Sequence, residues 1–227
     1  MAHEKQAAIQ AARKEKTMRV LLACEESQTV CKAFRERGHE AYSCDILPCS
    51  GGHPEWHYQG DVIPVLKEKW DMIIAFPPCT FLTCTANRVF ASNPARWQQR
   101  LGAVNFVWKI YTADCDKIAI ENPIGVLSTH ICKPTQIIQP YNFGHAVSKQ
   151  TCLWLKGLPP LVATNTVEPE WVYPASGGKR MSALHANSPT TNSESNRVLR
   201  SKTFPGIAKA MAEQWGGTSC DPELGKK

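Results

Sequence analysis

Two short motifs in this chain bring together residue types that do chemistry. Phe76-Pro77-Pro78-Cys79 sets a cysteine just beyond two prolines, and Glu121-Asn122-Pro123 sets a carboxylic acid before a third. A cysteine on a stiff, sharply redirected backbone suits a nucleophile, provided that a positive charge or a helix terminus favours its thiolate. Pro-Pro-Cys alone carries little weight, because free cysteine is commonly a small buried hydrophobe. A carboxylic acid beside it is a pair that packing does not ask for. Taken singly, Glu121 is equally a surface acid and Asn122-Pro123 a turn.

Other constellations are weaker. Cys44/Cys49 and Cys79/Cys84 share a C-x4-C spacing, with His53 and His57 nearby. Structural zinc sites more often use C-x2-C pairs, so no metal is assigned. A cysteine phosphatase needs an arginine shortly after its nucleophile, and residues 80–87 contain none. Most of the tryptophans belong to core positions. Trp171, in a loop-rich stretch, is the one placed to stack on a base.

The elements around the two motifs alternate. Met18 to Ala23 reads as a strand buried on both faces, followed by a helix from about Ser27 that Gly38 stops. Glu40 to Cys44 is a second strand, ending at Asp45. Asp71 to Phe76 is the clearest strand and runs into Pro77-Pro78, which end it. Ser92-Asn93-Pro94 opens a long helix with a capping side chain before a first-turn proline, and Val104, Val107, Trp108 and Tyr111 form its apolar stripe. Lys117 to Ile120 is a buried strand ending at Glu121. Ile137-Ile138 and Leu153 to Leu155 are further strand pieces, Val162 to Asn196 reads as loop, and a final amphipathic helix runs to Trp215 with Ile207 and Met211 inward. This alternation predicts an α/β fold, a mostly parallel sheet with helices on both faces. Ligands bind beyond the carboxyl ends of such strands, so Asp45, Cys79 and Glu121 should crowd one edge.

At 227 residues and 43% apolar, the chain has enough material for one ordinary core. No run of about 18 uncharged apolar residues predicts a membrane span. Residues 1–16 lack the apolar stretch of a secretory signal. The expected location is therefore intracellular, the cytoplasm of a bacterial or phage-infected cell, with the ten cysteines mostly reduced. The charge is uneven: residues 17–155 carry thirteen basic and twelve acidic side chains, residues 156–209 seven and three. Such a surplus suits phosphate contacts or a solvated basic face equally well.

Together, Phe76-Pro77-Pro78-Cys79 and Glu121-Asn122-Pro123 resemble the nucleophile loop and the Glu-Asn motif of the DNA cytosine-5 methyltransferase family, in the family's order. Gly60-Asp61-Val62 is similar to the family segment that contacts the cofactor's adenine, and Asp45 to the acid on its ribose. The segment Arg200 to Ala208 resembles the last family motif, which returns to the cofactor pocket. Ala23-Cys24-Glu25-Glu26-Ser27, Lys133-Pro134-Thr135 and Leu153 to Leu161 resemble a compact phage-type branch lacking a full target-recognition domain. The likeness spans roughly Arg19 to Trp215.

The resemblance implies a Rossmann-like, SAM-dependent methyltransferase fold and transfer to carbon 5 of cytosine in DNA. Cys79 would attack carbon 6 while Glu121 holds N3 and the exocyclic amine. It assigns S-adenosyl-L-methionine, or a variant carrying another group, to Cys24, Glu25, Asp45, Ile46, Asp61, Val62, Phe76 and Pro78. It assigns a flipped base and its strand to Pro77, Pro78, Asn122, Pro123, Lys149, Thr151 and Arg200; other basic groups offered for phosphate contacts are Arg197 and Lys202. The implied organisation is a tail (1–16), a catalytic domain (17–155), a short basic segment in place of target recognition (156–200) and a returning helix (201–227).

Three departures bear on this. Cys24-Glu25-Glu26-Ser27-Gln28 stands where the family has a glycine-rich loop, which also argues against NAD. No Arg-x-Arg segment is present beside the base, with Ser148 to Thr151 as the stand-in. The stretch from Lys156 to Asn196 is too short for a full recognition domain, so specificity is low, read by short loops, or supplied by a second chain or copy. The competing readings are a non-catalytic nucleic-acid-binding or activating subunit, and a transferase acting on free cytidine nucleotides.

Overall fold

Val20, Leu21, Leu22 and Ala23 have no exposed surface, and they form the middle of the sheet as β1 (Arg19–Ala23). The computed structural model describes residues 17–84, 87–173, 180–182 and 202–217. The expected tail, Arg197 and Arg200 lie outside these residues. From β1 the chain passes through α1 (Thr29–Glu36) to β2 (Glu40–Asp45), then to the short β3 (His57–Gln59) and α2 (Val62–Val65). It returns to the other side of β1 as β4 (Met72–Ala75), and α3 (Asn87–Ser92) and α4 (Ala95–Tyr111) lead to β5 (Ile118–Pro123). After α5 (Leu127–His130) come β6 (Gln136–Ile138) and β7 (Thr151–Lys156), a hairpin of β8 (Trp171–Val172) with β9 (Met181–Ser182), and α6 (Pro205–Trp215).

The seven-stranded sheet has the order β3-β2-β1-β4-β5-β7-β6. β1 to β5 are parallel, and β7 enters antiparallel between β5 and β6. The expected class is therefore correct: a Rossmann-like, mostly parallel sheet with helices on both faces. Strand side chains alternate between those faces. Val20, Leu22, Met72 and Ile74 pack under α1 and α6 with Phe34, Met211 and Trp215. Leu21, Ala23, Ile73 and Ile118 pack the opposite way, against Val62, Val107, Ile110 and Leu127 of α2, α4 and α5. The order reverses between β1 and β4, and a crevice at such a switch point is where doubly wound sheets take ligands.

Several boundaries differ from expectation, each for a local reason. Ser92 ends the separate helix α3, and Pro94 is the N-cap of α4 with no side-chain cap bond. Two helices meeting at a proline replace the single capped start. The inward face of α4 is Arg100, Val107 and Ile110, whereas Trp108 is 48% exposed; a buried arginine shifted the stripe. Glu121, Asn122 and Pro123 lie inside β5, because β7 pairs with it as far as Pro123 opposite Thr151. The loop-rich stretch contains the β8–β9 hairpin.

Candidate active site at the carboxyl edge of the sheet

The two motifs are fastened to each other. The Phe76 N–H donates to the Ala23 carbonyl at 2.9 Å, which keeps the start of the nucleophile loop beside β1. Pro77 is then buried, while Pro78, Cys79 and Thr80 are exposed. Asn122, only 2% exposed, donates from Nδ2 to the Pro77 carbonyl at 2.7 Å. This bond crosses from β5 to the residue two before the cysteine. The Asn122 Oδ1 is buried with no hydrogen-bond partner among the described residues. Further along, Val126 donates its N–H to the Leu82 carbonyl at 2.8 Å, and Thr83 bridges to Gly125. A Cβ at Gly125 would collide with the Leu82 carbonyl, so only glycine permits this approach.

Glu121 is half-buried in β5. Burial holds its carboxyl above the usual carboxylate range, with Lys149 pulling the other way. A shallow, open pocket lies against it, lined by Glu121, Lys149, Thr151, Lys202, Thr203, Phe204 and Ile207. The floor comes from β7: Thr151 is 4% exposed and donates from Oγ1 to the Lys149 carbonyl at 3.3 Å. The Lys149 N–H donates to Gln139 Oε1 at 2.9 Å, which anchors the turn into that strand. The far wall is the start of α6. Gly206 donates its N–H to His145 Nε2 at 2.9 Å, and Phe204 lies 5.1 Å from the His145 ring. A Cβ at Gly206 would strike the Phe143 carbonyl.

On the other side of the switch point stands the segment that replaces a glycine-rich loop. Cys24 (φ 61°) and Gln28 (φ 55°) are both left-handed without being glycine, a conformation that costs about 1–2 kcal/mol per residue. Glu25, 4% exposed, points into α1 and accepts the N–H groups of Val30 at 2.6 Å and Cys31 at 3.1 Å. It thus fills the helix N-terminus where phosphate groups bind in dinucleotide enzymes. Burial pushes its carboxyl up to about 8, against those two backbone bonds. Gln28, fully buried, donates to the His53 carbonyl at 2.7 Å and accepts the His53 N–H at 3.1 Å, clamping the loop after β2.

Asp45 and Asp61 both face this segment: burial first, then Asp45, Cys44 and Asp61 push the Cys24 thiol up. Asp45 Oδ1 accepts the Leu47 N–H at 2.9 Å, leaving Ile46 74% exposed beside it. Asp61 Oδ1 caps α2 by accepting from Ile63 at 3.0 Å, and Val62 is buried beneath that helix. An acid next to an exposed apolar side chain fits a nucleoside, with ribose hydroxyls on the one and a purine face on the other. Glu26 ties the two sides together. Burial raises its carboxyl and Lys202 is the main opposing charge.

Cys79, Pro77, Asn122 and Pro123 are thus brought to one edge; Glu121, Lys149 and Thr151 line one pocket; Cys24, Asp45, Ile46 and Asp61 gather near β2. Glu25 is buried against the N-terminus of α1 and Val62 in the first turn of α2, and Arg200 lies outside the described residues. Arg180 lies over the Trp171 ring at 4.3 Å. No group of three potential metal ligands occurs among the described residues. Sequence patterns missed Arg100, His145 and Gln28. Their partners are loop carbonyls and amides, which no periodicity marks.

No family model matches this chain, and no curated protein does. Among solved structures it is similar to a protein described as a candidate DNA modification methyltransferase encoded within an Escherichia coli prophage, at TM-score 0.38 and 14% identity. That match covers 61% of this chain and 46% of the other. It is also similar to an rRNA methylase from Escherichia coli, at TM-score 0.33 and 13% identity, covering 68% of this chain and 63% of the other. The chain spans less than two thirds of either. Both likenesses are distant, and the fold rests on the chain's own strand order.

Proposed function

We propose that this chain is a cytosine C5-transferase that uses a SAM-type cofactor and acts on DNA. The observation that carries the proposal is the pairing at the sheet edge. An exposed cysteine in the loop after β4 and a half-buried acid in the neighbouring β5 are joined through the bond from Asn122 to the Pro77 carbonyl. The cofactor would be held by Asp45, Ile46 and Asp61 at the ends of β2 and α2, with Cys24 and Phe76 at the switch point. Bound there, it supplies an electrophilic methyl group, or a variant group, on a sulfonium.

The chain's own residues do the rest. Carbon 5 of cytosine is too weak a nucleophile to be alkylated directly. The Cys79 thiolate adds to carbon 6 as Glu121 gives its proton to N3, and the resulting enamine is nucleophilic at carbon 5. The raised carboxyl of Glu121 supports that role, because only its protonated form donates. After alkylation, carbon 5 loses its proton to solvent, N3 returns its proton to Glu121, and the double bond re-forms as the thiolate leaves. Lys149 and Lys202 flank the pocket and supply phosphate contacts that offset the few kcal/mol of base flipping. We assign the chain to a compact, phage-type branch whose specificity comes from short loops or a second chain.

The test is intact mass spectrometry after incubation with SAM and an oligonucleotide containing 5-fluorocytosine. That base cannot lose its carbon-5 substituent as a proton, so the adduct accumulates. A protein–DNA species present in the native chain and missing from Cys79→Ser is the expected result. Its absence with single- and double-stranded DNA, using SAM or a cell metabolite extract as donor, would sink the proposal.

A further inference from the structure

The turn that carries Cys79 is held by a side chain from a helix that otherwise plays no part in the site. Arg100, on the inward face of α4, is only 3% exposed. Its Nε donates to the Phe81 carbonyl at 2.8 Å, and one terminal nitrogen donates to the Thr83 carbonyl and to Asn87 Oδ1, both at 2.9 Å. The Phe90 ring lies 3.8 Å beneath the guanidinium. One turn earlier, Arg96 sits over Phe81 and Phe90, at 5.3 Å from each.

Burying a guanidinium is costly unless its donors are used, and here all three described hydrogen-bond partners are neutral. Two of them are backbone carbonyls of the loop itself. Two further loop carbonyls are committed as well. That of Cys79 accepts from Leu82 at 2.9 Å and Thr83 at 3.2 Å, and that of Leu82 accepts from Val126. The turn therefore closes on itself behind Cys79, is pinned by β5 and its following loop on one side, and is pinned by Arg100 on the other. A planar fork can reach two carbonyls two residues apart, whereas a lysine ammonium presents a single nitrogen.

We propose that Arg100 is a positioning residue: through the carbonyls of Phe81 and Thr83 it holds the Cys79 turn in the one geometry from which the thiol attacks its substrate. The proposal rests on Cys79 being the nucleophile, while the loop-holding part stands apart from that assignment. Misplacing a reacting atom by about 1 Å costs on the order of 100-fold in rate, so a looser turn would slow the addition without weakening DNA binding.

The test compares Arg100→Lys with the native full-length chain by three measurements. They are amide hydrogen exchange in residues 77–84 and 205–215, the affinity for the 5-fluorocytosine oligonucleotide, and the single-turnover rate of adduct formation. The expected result is exchange at least ten times faster in 77–84 with none in 205–215, unchanged affinity, and an adduct rate lower by about 100-fold. Unchanged exchange in 77–84 overturns the proposal. So does exchange rising equally in both segments, since that would be general destabilisation. If Arg100→Lys does not fold, Asn87→Ala at an exposed position removes one partner of the guanidinium, and the same exchange comparison decides. A native chain that forms no adduct would defeat the nucleophile assignment, and the exchange result would still separate a held turn from an unheld one.

Discussion

At the scale of single residues, the proposed chemistry divides between a thiol and an acid in different surroundings. Cys79 is exposed, whereas Glu121 is half-buried and its carboxyl is raised by that burial. The acid must be protonated when the thiolate adds, so turnover should fall as pH rises through its elevated pKa. Glu121→Gln keeps the shape and loses the proton. We expect kcat to fall by about 10²–10⁴-fold and the alkaline limb of the pH profile to vanish, which steady-state rates from pH 6 to 10 would reveal. An alkaline limb surviving in the variant would mean that another group donates the proton. Both residues were legible as candidates from their types and their place after apolar runs. Asn122 was read only as a substrate contact, and its bond to the Pro77 carbonyl becomes visible only when β4 and β5 lie side by side.

At the scale of elements, helix termini and one glycine decide how the pocket is assembled. Glu25 occupies the N-terminus of α1, and burial lifts its carboxyl to about 8. The folded chain thus keeps a proton that the unfolded chain releases from about 4.5 upward. The stability linked to that proton is fully present at low pH and is lost as pH rises towards 8. Urea midpoints should accordingly decline between pH 5 and pH 9 in the native chain, and Glu25→Gln should flatten that decline. An equal slope in both proteins would show that Glu25 titrates normally. At the other wall, Gly206→Ala would push the start of α6 off Phe143 and break the bond to His145. Overpacking of this kind costs about 1–3 kcal/mol. The melting temperature should drop, and the oligonucleotide should bind more weakly because Lys202 and Phe204 move with that turn. His145, whose pKa burial lowers, must be neutral to accept the Gly206 N–H. The sequence named the strand beginnings and the final helix well because their apolar periods are strong. It placed the start of α4 and the inner face of that helix poorly, since a buried arginine reads as a solvent-facing residue.

At the scale of the whole molecule, the proposal concerns a polyanion, and ionic strength is the measurement that addresses it. Lys149 and Lys202 both line the pocket, from the segments that lead into β7 and α6. If both touch phosphates, Lys149→Ala and Lys202→Ala should each reduce the slope of log K against log salt by about 1. A free cytidine nucleotide as substrate would show almost no slope in the native chain, and a fluorescence-anisotropy titration at several salt concentrations distinguishes the two. The parallel α/β class and the placing of Cys79 and Glu121 together at the carboxyl edge of the sheet were read from the sequence alone. Each follows from local pattern: runs of buried strand residues, prolines that end them, and the rule that strand ends carry ligands. Which residues complete the pocket was decided only by tertiary structure. His145 reaches Gly206 across 61 positions, and Lys149 lies over Phe204 and shares the pocket with Lys202 because β7 runs antiparallel into the sheet beside β5. Such contacts depend on the order in which strands lie, and a chain read residue by residue does not carry that order.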